Sequence, residues 1–149
     1  MSVLDDIVAR TRRRLAEEPL DRKDLRREAM LVARSRTPHA FAGAVSRNRV
    51  NIIAEIKSAS PSAGKIIENP DVETIARQYR EGGAAAISIV TEPEFFQGDA
   101  RWLKRAAAAS ALPVIMKDFI VDPGQILKGA AAGADAMLLL ASLLGADEI

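Results

Sequence analysis

The stretch Ile52-Ile53-Ala54-Glu55-Ile56-Lys57-Ser58-Ala59-Ser60-Pro61-Ser62 reads as a strand followed by a sharp exit loop. Side chains alternate along a strand. Val50, Ile52, Ala54 and Ile56 therefore share one face, and Ile53, Glu55 and Lys57 share the other. The first face is wholly apolar. The second begins apolar and ends in a carboxylate and an ammonium. Buried charges are costly unless paired or used, so this strand end is either an ordinary ion pair or part of a site.

Downstream, the pattern alternates strand and helix. The first strand is expected over 50–57. Asn69-Pro70-Asp71 opens a helix with Val72, Ile75, Ala76 and Tyr79 inward, and Gly82-Gly83 closes it. The second strand spans 85–91, an apolar run broken by Ser88. A loop carrying Phe95 and Phe96 follows, and Asp99 can cap a helix over 100–109. The third strand covers 113–117. Asp122-Pro123 starts the next helix, with Ile126, Leu127 and Ala130 inward and Gly133 at its end. The fourth strand is expected over 134–140. Near-continuous apolar strands alternating with helices mean an α/β fold with a parallel sheet. It is either doubly wound or part of a (β/α)8 barrel. No Gly-x-Gly-x-x-Gly follows the first strand, which weighs against dinucleotide binding.

Upstream, Ser2 with Asp5 resembles a capping box for an amphipathic helix ending near Glu17. Its apolar stripe is Leu4, Ile7, Val8 and Leu15, and Arg10, Arg12, Arg13 and Arg14 form a solvated basic face. A second helix runs from about 21 to 33, with Leu25, Ala29 and Val32 inward and Thr37-Pro38 as its stop. His39, the only histidine, sits in a loop without a partner motif.

Composition bounds the possibilities. The chain has 149 residues, 48% hydrophobic and 28% charged, with a formal net charge of +1. That is an ordinary globular profile with no strong field for nucleic acid or membrane. The absence of cysteine excludes disulfides and thiolate chemistry. No apolar run reaches the roughly 18 residues of a membrane span, and residues 1–20 carry charges throughout. A cytoplasmic enzyme or binding domain is the expectation.

Sites on parallel α/β sheets lie beyond the carboxyl ends of the strands. Glu55, Lys57, Ser88, Thr91, Lys117 and several aromatics therefore share one rim. Lys57 and Lys117 each follow an apolar same-face neighbour, Ile53 and Ile115. Partial desolvation lowers a lysine's pKa and suits it to general acid or Schiff-base work, whereas snorkelling to solvent would leave it idle. Alternation turns Asp118 away from the rim, towards a structural role.

Five ordered motifs then point to one family. They are 53–62, Ala86-Ile87-Ser88-Ile89-Val90-Thr91-Glu92, Phe95-Phe96-Gln97-Gly98, Pro113-Val114-Ile115-Met116-Lys117-Asp118-Phe119-Ile120 and 133–140. In order and spacing the chain resembles indole-3-glycerol phosphate synthase of tryptophan biosynthesis. The resemblance implies a (β/α)8 TIM barrel, with residues 1–49 as an amino-terminal helical extension and 50–149 as its first half, cut after the fourth strand. It implies a carboxy-lyase that closes the ring of 1-(2-carboxyphenylamino)-1-deoxyribulose 5-phosphate, with loss of carbon dioxide and water and no cofactor or metal. By this analogy Lys117 is the general acid, Lys57 contacts the substrate's anionic groups, and Glu55 orients or relays protons. Ser60 and Pro61 line the pocket near the anthranilate carboxylate, Phe96 and Phe119 pack on the aromatic ring, and Leu138 adds to the wall. Ala63 stands where many relatives carry lysine.

A full barrel needs roughly 200 residues or more. The family's second glutamate, its asparagine and its phosphate-binding loops would come from later strands, so the fragment is expected to be inactive alone. Open edges at the first and fourth strands would favour self-association or need the carboxy-terminal half. The inner face of Ile53, Ile87, Ile89 and Ile115 would lie partly exposed. A non-catalytic half-barrel assembly module is the alternative, and a phosphoribosyl isomerase fits the lysine motifs less well.

Overall fold

A computed structural model describes residues 2–149; Met1 lies outside the described residues. Three helices come first: α1 (Val3–Glu17), α2 (Arg22–Ala33) and α3 (Ala40–Val45). The capping box of α1 forms as expected. Ser2 Oγ accepts the Asp5 N–H at 3.2 Å, and the Asp5 carboxylate accepts the Ser2 N–H at 2.7 Å. Asp21 caps α2 by accepting the Lys23 and Asp24 N–H groups. The α2 helix ends at Ala33, short of Thr37-Pro38, and α3 follows where a plain loop was expected, started by left-handed His39.

The (βα) array then follows. Strand β1 (Ile53–Ile56) leads into a small hairpin of β2 (Ala59–Ser60) and β3 (Gly64–Lys65), which the sequence pattern did not signal. Next come α4 (Val72–Glu81), β4 (Ala86–Val90), α5 (Arg101–Ser110), β5 (Val114–Lys117), α6 (Pro123–Ala131) and β6 (Ala136–Met137). The main sheet is parallel throughout, in the order β1-β4-β5-β6. Among the described residues no helix is long and apolar enough to cross a membrane.

Register assigns the two faces. Ile56 aligns with Ile89, and Ile89 with Met116. These residues join Ile87, Val114, Val72, Ala76, Trp102 and Leu103 in one core between sheet and helices. Glu55 aligns with Ser88, Ser88 with Ile115, and Ile115 with Ala136 on the other face. Ile87 and Ile89 are therefore not on the open inner face, as expected, but fully buried under the helices. The reason is parity: Ser88 shares the face of Glu55, so its two neighbours must point away.

Strand ends are shorter than expected. The first strand begins at Ile53 rather than 50, because Asn51 Nδ2 donates to the carbonyls of Val45, Arg47 and Arg49 and holds a loop there. The fourth strand shrinks to Ala136–Met137, at the edge of the sheet beside β5. In α6 Ile126 is exposed instead of inward, while Gly124, Gln125 and Gly129 are buried. The helix comes so close to the sheet that a Cβ on Gly129 would lie 2.5 Å from Met116 Sδ. Arg36 forks onto Asp135, which also accepts the Val114 N–H at 2.8 Å and so ties the segment after α2 to the start of β5.

Candidate active site

The alternation in β1 and β5 brings Glu55 and Lys117 to the same face at their carboxyl ends. Lys117 Nζ donates to Glu55 Oε2 at 2.8 Å. Ser88 Oγ, from the strand between, donates to the same oxygen at 3.2 Å. Lys57 Nζ lies 3.4 Å from Glu55 Oε1. Three neighbouring strands or strand ends thus hold one carboxylate between two ammonium groups and a hydroxyl, leaving a net positive cluster.

The side chains of Lys117 and Lys57 are 47% and 34% exposed, so both reach solvent rather than sitting desolvated. Burial pushes the Glu55 carboxyl up. Hydrogen bonding and charge from Lys117, then hydrogen bonds from Lys57 and Ser88, outweigh it and hold Glu55 below the usual carboxylate range. Tyr79 OH fixes the strand by donating to the Glu55 carbonyl at 2.8 Å. A cavity of about 510 Å³ at the free edge of β1 is lined in part by Glu55, Lys57, Ile66, Ile67 and Tyr79.

The aromatic residues also converge. The rings of Phe96 and Phe119 lie 5.9 Å apart, tilted at 37°, within the roughly 4.5–7 Å separation of interacting aromatic pairs. Leu138 follows β6 in the parity of Lys117, its N–H continuing the ladder to the Met116 carbonyl at 3.0 Å. Ser60 is engaged locally: its Oγ accepts the Ala63 N–H at 3.1 Å and lies 3.4 Å from Ser62 Oγ. Pro61 is exposed at the hairpin tip. The structure thus joins Glu55, Lys57 and Lys117 directly, pairs Phe96 with Phe119, and leaves Ser60 and Pro61 in the hairpin, out of that cluster.

Asp118 turns inward, as alternation predicts. Its carboxylate accepts the Thr91 hydroxyl at 2.6 Å and the Phe119 N–H at 2.8 Å. Burial raises its pKa above the ordinary value against these two hydrogen bonds. Two participants escaped the sequence reading. Glu92 is fully buried and caps the loop bearing Phe96. Arg14, expected on a solvated face, is half-buried and pairs with Glu94 at 3.2 Å. A carboxylate just before a run of free loop N–H groups is the signal that marks Glu92; the Arg14 pairing depends on tertiary packing alone. Among the described residues, no group of three or more His, Asp or Glu side chains could hold a metal ion.

A parallel βα sheet with a lysine–carboxylate cluster at the carboxyl ends of its strands places the chain among α/β proteins whose sites gather at that end of the sheet. Comparison with known proteins narrows that class. The family model of indole-3-glycerol phosphate synthase matches residues 4–149, and the chain belongs to this family. It is 42% identical over 152 residues to the indole-3-glycerol phosphate synthase of Rhodopirellula baltica (strain DSM 10527 / NCIMB 13988 / SH1), covering all of this chain and 58% of that protein. It is 39% identical over 153 residues to that of Bordetella pertussis (strain Tohama I / ATCC BAA-589 / NCTC 13251), covering 98% and 58%. The chain thus spans about 58% of the length of these curated relatives. The family fold is the TIM barrel, and the four-stranded parallel sheet is part of one.

Proposed function

We propose that this chain carries the acid half of an indole-3-glycerol phosphate synthase centre. Residues 1–49 form the helical extension and 50–149 the first half of the barrel. The reaction is the decarboxylating, dehydrating ring closure of 1-(2-carboxyphenylamino)-1-deoxyribulose 5-phosphate. The supporting observation is the Lys117–Glu55–Lys57 cluster at the strand ends. Ring closure on a carbonyl needs a proton at the carbonyl oxygen, and an anionic substrate needs cations nearby. Lys117 supplies the proton, Glu55 orients its ammonium, and Lys57 meets the anionic groups. Phe96, Phe119 and Leu138 form the wall against the aromatic ring, with Ser60 and Pro61 beside the anthranilate carboxylate. The setting is cytoplasmic, and the proposal needs no metal or cofactor.

Among the described residues β1 and β6 each pair with a single strand, which favours a second reading, a half-barrel module that works by assembly. Ile52, Ile53, Ile66 and Ile67 are exposed on β1 and in the segments beside it, which supports self-association or docking of a carboxy-terminal half. One experiment separates the two readings. Product formation is followed by indole fluorescence for the chain alone and after mixing with the carboxy-terminal part of the Rhodopirellula baltica relative. Signal only on mixing supports the enzyme reading. Association by size-exclusion chromatography without signal on mixing supports the module. Signal from the chain alone would overturn the division of labour between halves.

A further inference from the structure

Glu92 is a buried acid to which the proposed chemistry gives no task. It is 1% exposed, and a buried carboxylate is costly without partners. Its partners are the loop's own backbone. The carboxylate accepts the N–H groups of Glu94 at 3.0 Å, Phe95 at 2.6 Å and Phe96 at 3.0 Å. Its carbonyl accepts the Gly98 N–H at 2.8 Å. One residue therefore closes the loop 92–98 from both ends. The far end has little freedom, since a Cβ on Gly98 would lie 2.3 Å from the Val90 carbonyl oxygen and Gln97 is left-handed with φ 51°.

The loop presents Phe96 on one side and meets α1 on the other. The Phe96 carbonyl accepts the Ala59 N–H at 3.1 Å, and its ring rests against Phe119. Arg14 Nη1 lies 3.6 Å from Glu92 Oε1 and 3.2 Å from Glu94 Oε1, and Arg10 Nε lies 2.6 Å from Glu94 Oε2. A charge on α1 thus faces the acid that sets the backbone of Phe96.

We propose that Glu92 is a positioning residue for the Phe96–Phe119 wall and that Arg14 is its counter-ion, which makes the amino-terminal helix part of the apparatus that recognises an aromatic ligand. The proposal rests on the reading of Phe96 and Phe119 as a ligand wall. Glu92 touches no reacting atom; it acts through the backbone it caps.

Fluorophenylalanine labelling tests this on the whole chain, which has four phenylalanines, with signals assigned by Phe41→Leu, Phe96→Leu and Phe119→Leu. Glu92→Gln keeps the size but turns one acceptor into a donor that opposes the loop N–H groups. The Phe96 and Phe119 signals should shift or broaden while that of Phe41 stays in place. Arg14→Gln should move the same two signals by less. A purely structural Glu92 would lower the melting temperature without displacing the Phe96 signal, and a folded Glu92→Gln with an unmoved Phe96 signal overturns the proposal. If Glu92→Gln loses its fold, Arg14→Gln decides: movement confined to Phe96 and its neighbours supports the proposal, and none overturns it. Anthranilate titration tests the wall separately. Shifts of Phe96 and Phe119 in the unmutated chain, weakened several-fold in Arg14→Gln, support both readings. No shift in the unmutated chain sinks the wall and leaves the ring-position result to judge Glu92.

Discussion

On the helix-packed face of the sheet, Ile87, Ile89 and Val114 are completely buried, and Leu103 and Ala76 close over them. On the opposite face of the same strands, Ile53 is 45% exposed and Glu55, Lys57 and Lys117 reach solvent. Adjacent residues in one strand therefore live in different media. The first face gains stability from the area it hides. The second keeps its charges hydrated and available, which is what an acid–base site on an anionic ligand requires. Stability and proposed chemistry are separable here, by alternation alone.

The largest test of that separation is Lys117→Ala. In an enzyme completed by a carboxy-terminal half, losing a general acid should cost roughly 10²–10⁴-fold in turnover. The half-exposed side chain contributes little packing, so the unfolding midpoint should hardly move. Near-normal turnover, or collapse of the fold, would break the division between faces. Next in size is a matched pair. Ile89→Ala empties a fully buried site and should destabilise the chain by about 2–5 kcal/mol. Ile115→Ala, on the partly open face, should cost less than half as much in urea unfolding of the same preparation. Equal losses would mean that the inner face is covered in solution, as by a second copy.

A third substitution probes the seam between the faces. Gly98→Ala drives a methyl group into the backbone of Val90 and Thr91, with an expected cost of about 1–3 kcal/mol. Because Gly98 closes the loop that bears Phe96, the loss should come with altered Phe96–Phe119 packing. Unchanged melting would show that the loop shifts freely.

Much of this division is legible in the residues. Alternation through Ile53, Glu55 and Lys57 and through Ile115 and Lys117 already puts both lysines on one face, and the acidic caps Asp71 and Asp122 mark the starts of α4 and α6, whereas the cap position of α5 is Ala100, without a side-chain cap, and not the expected Asp99. The face of Ile87 and Ile89 is hidden in the sequence because an apolar strand buried on both sides carries little polarity to show its parity; only Ser88, aligned with Glu55, reveals it. The short hairpin β2–β3 has too few residues for a period. Arg14 and Glu92 are 78 positions apart (92 − 14), and their pairing follows from where α1 docks, which no local pattern encodes.

The smallest expected effect concerns acid stability, and here the two faces carry opposite signs. Glu55, on the open face, is held below its ordinary value by Lys117, Lys57 and Ser88 despite burial. Its folded state binds a proton more weakly than the unfolded chain does. The stability this adds is complete above the unfolded value, about 4.3, and is lost as pH falls through the folded value. Asp118, on the buried side, is raised by desolvation. It favours folding while protonated, and that gain fades as pH rises through its raised value. Glu55→Gln should therefore flatten the acid limb of the stability curve, and Asp118→Asn should steepen it by removing the offset. For the partly exposed Glu55 cluster the change is about 1 kcal/mol or less. Urea midpoints measured from pH 3 to pH 6 read both. If the two variants bend the limb the same way, the two carboxylates do not differ as their surroundings require, and the contrast between the faces fails at its most sensitive point.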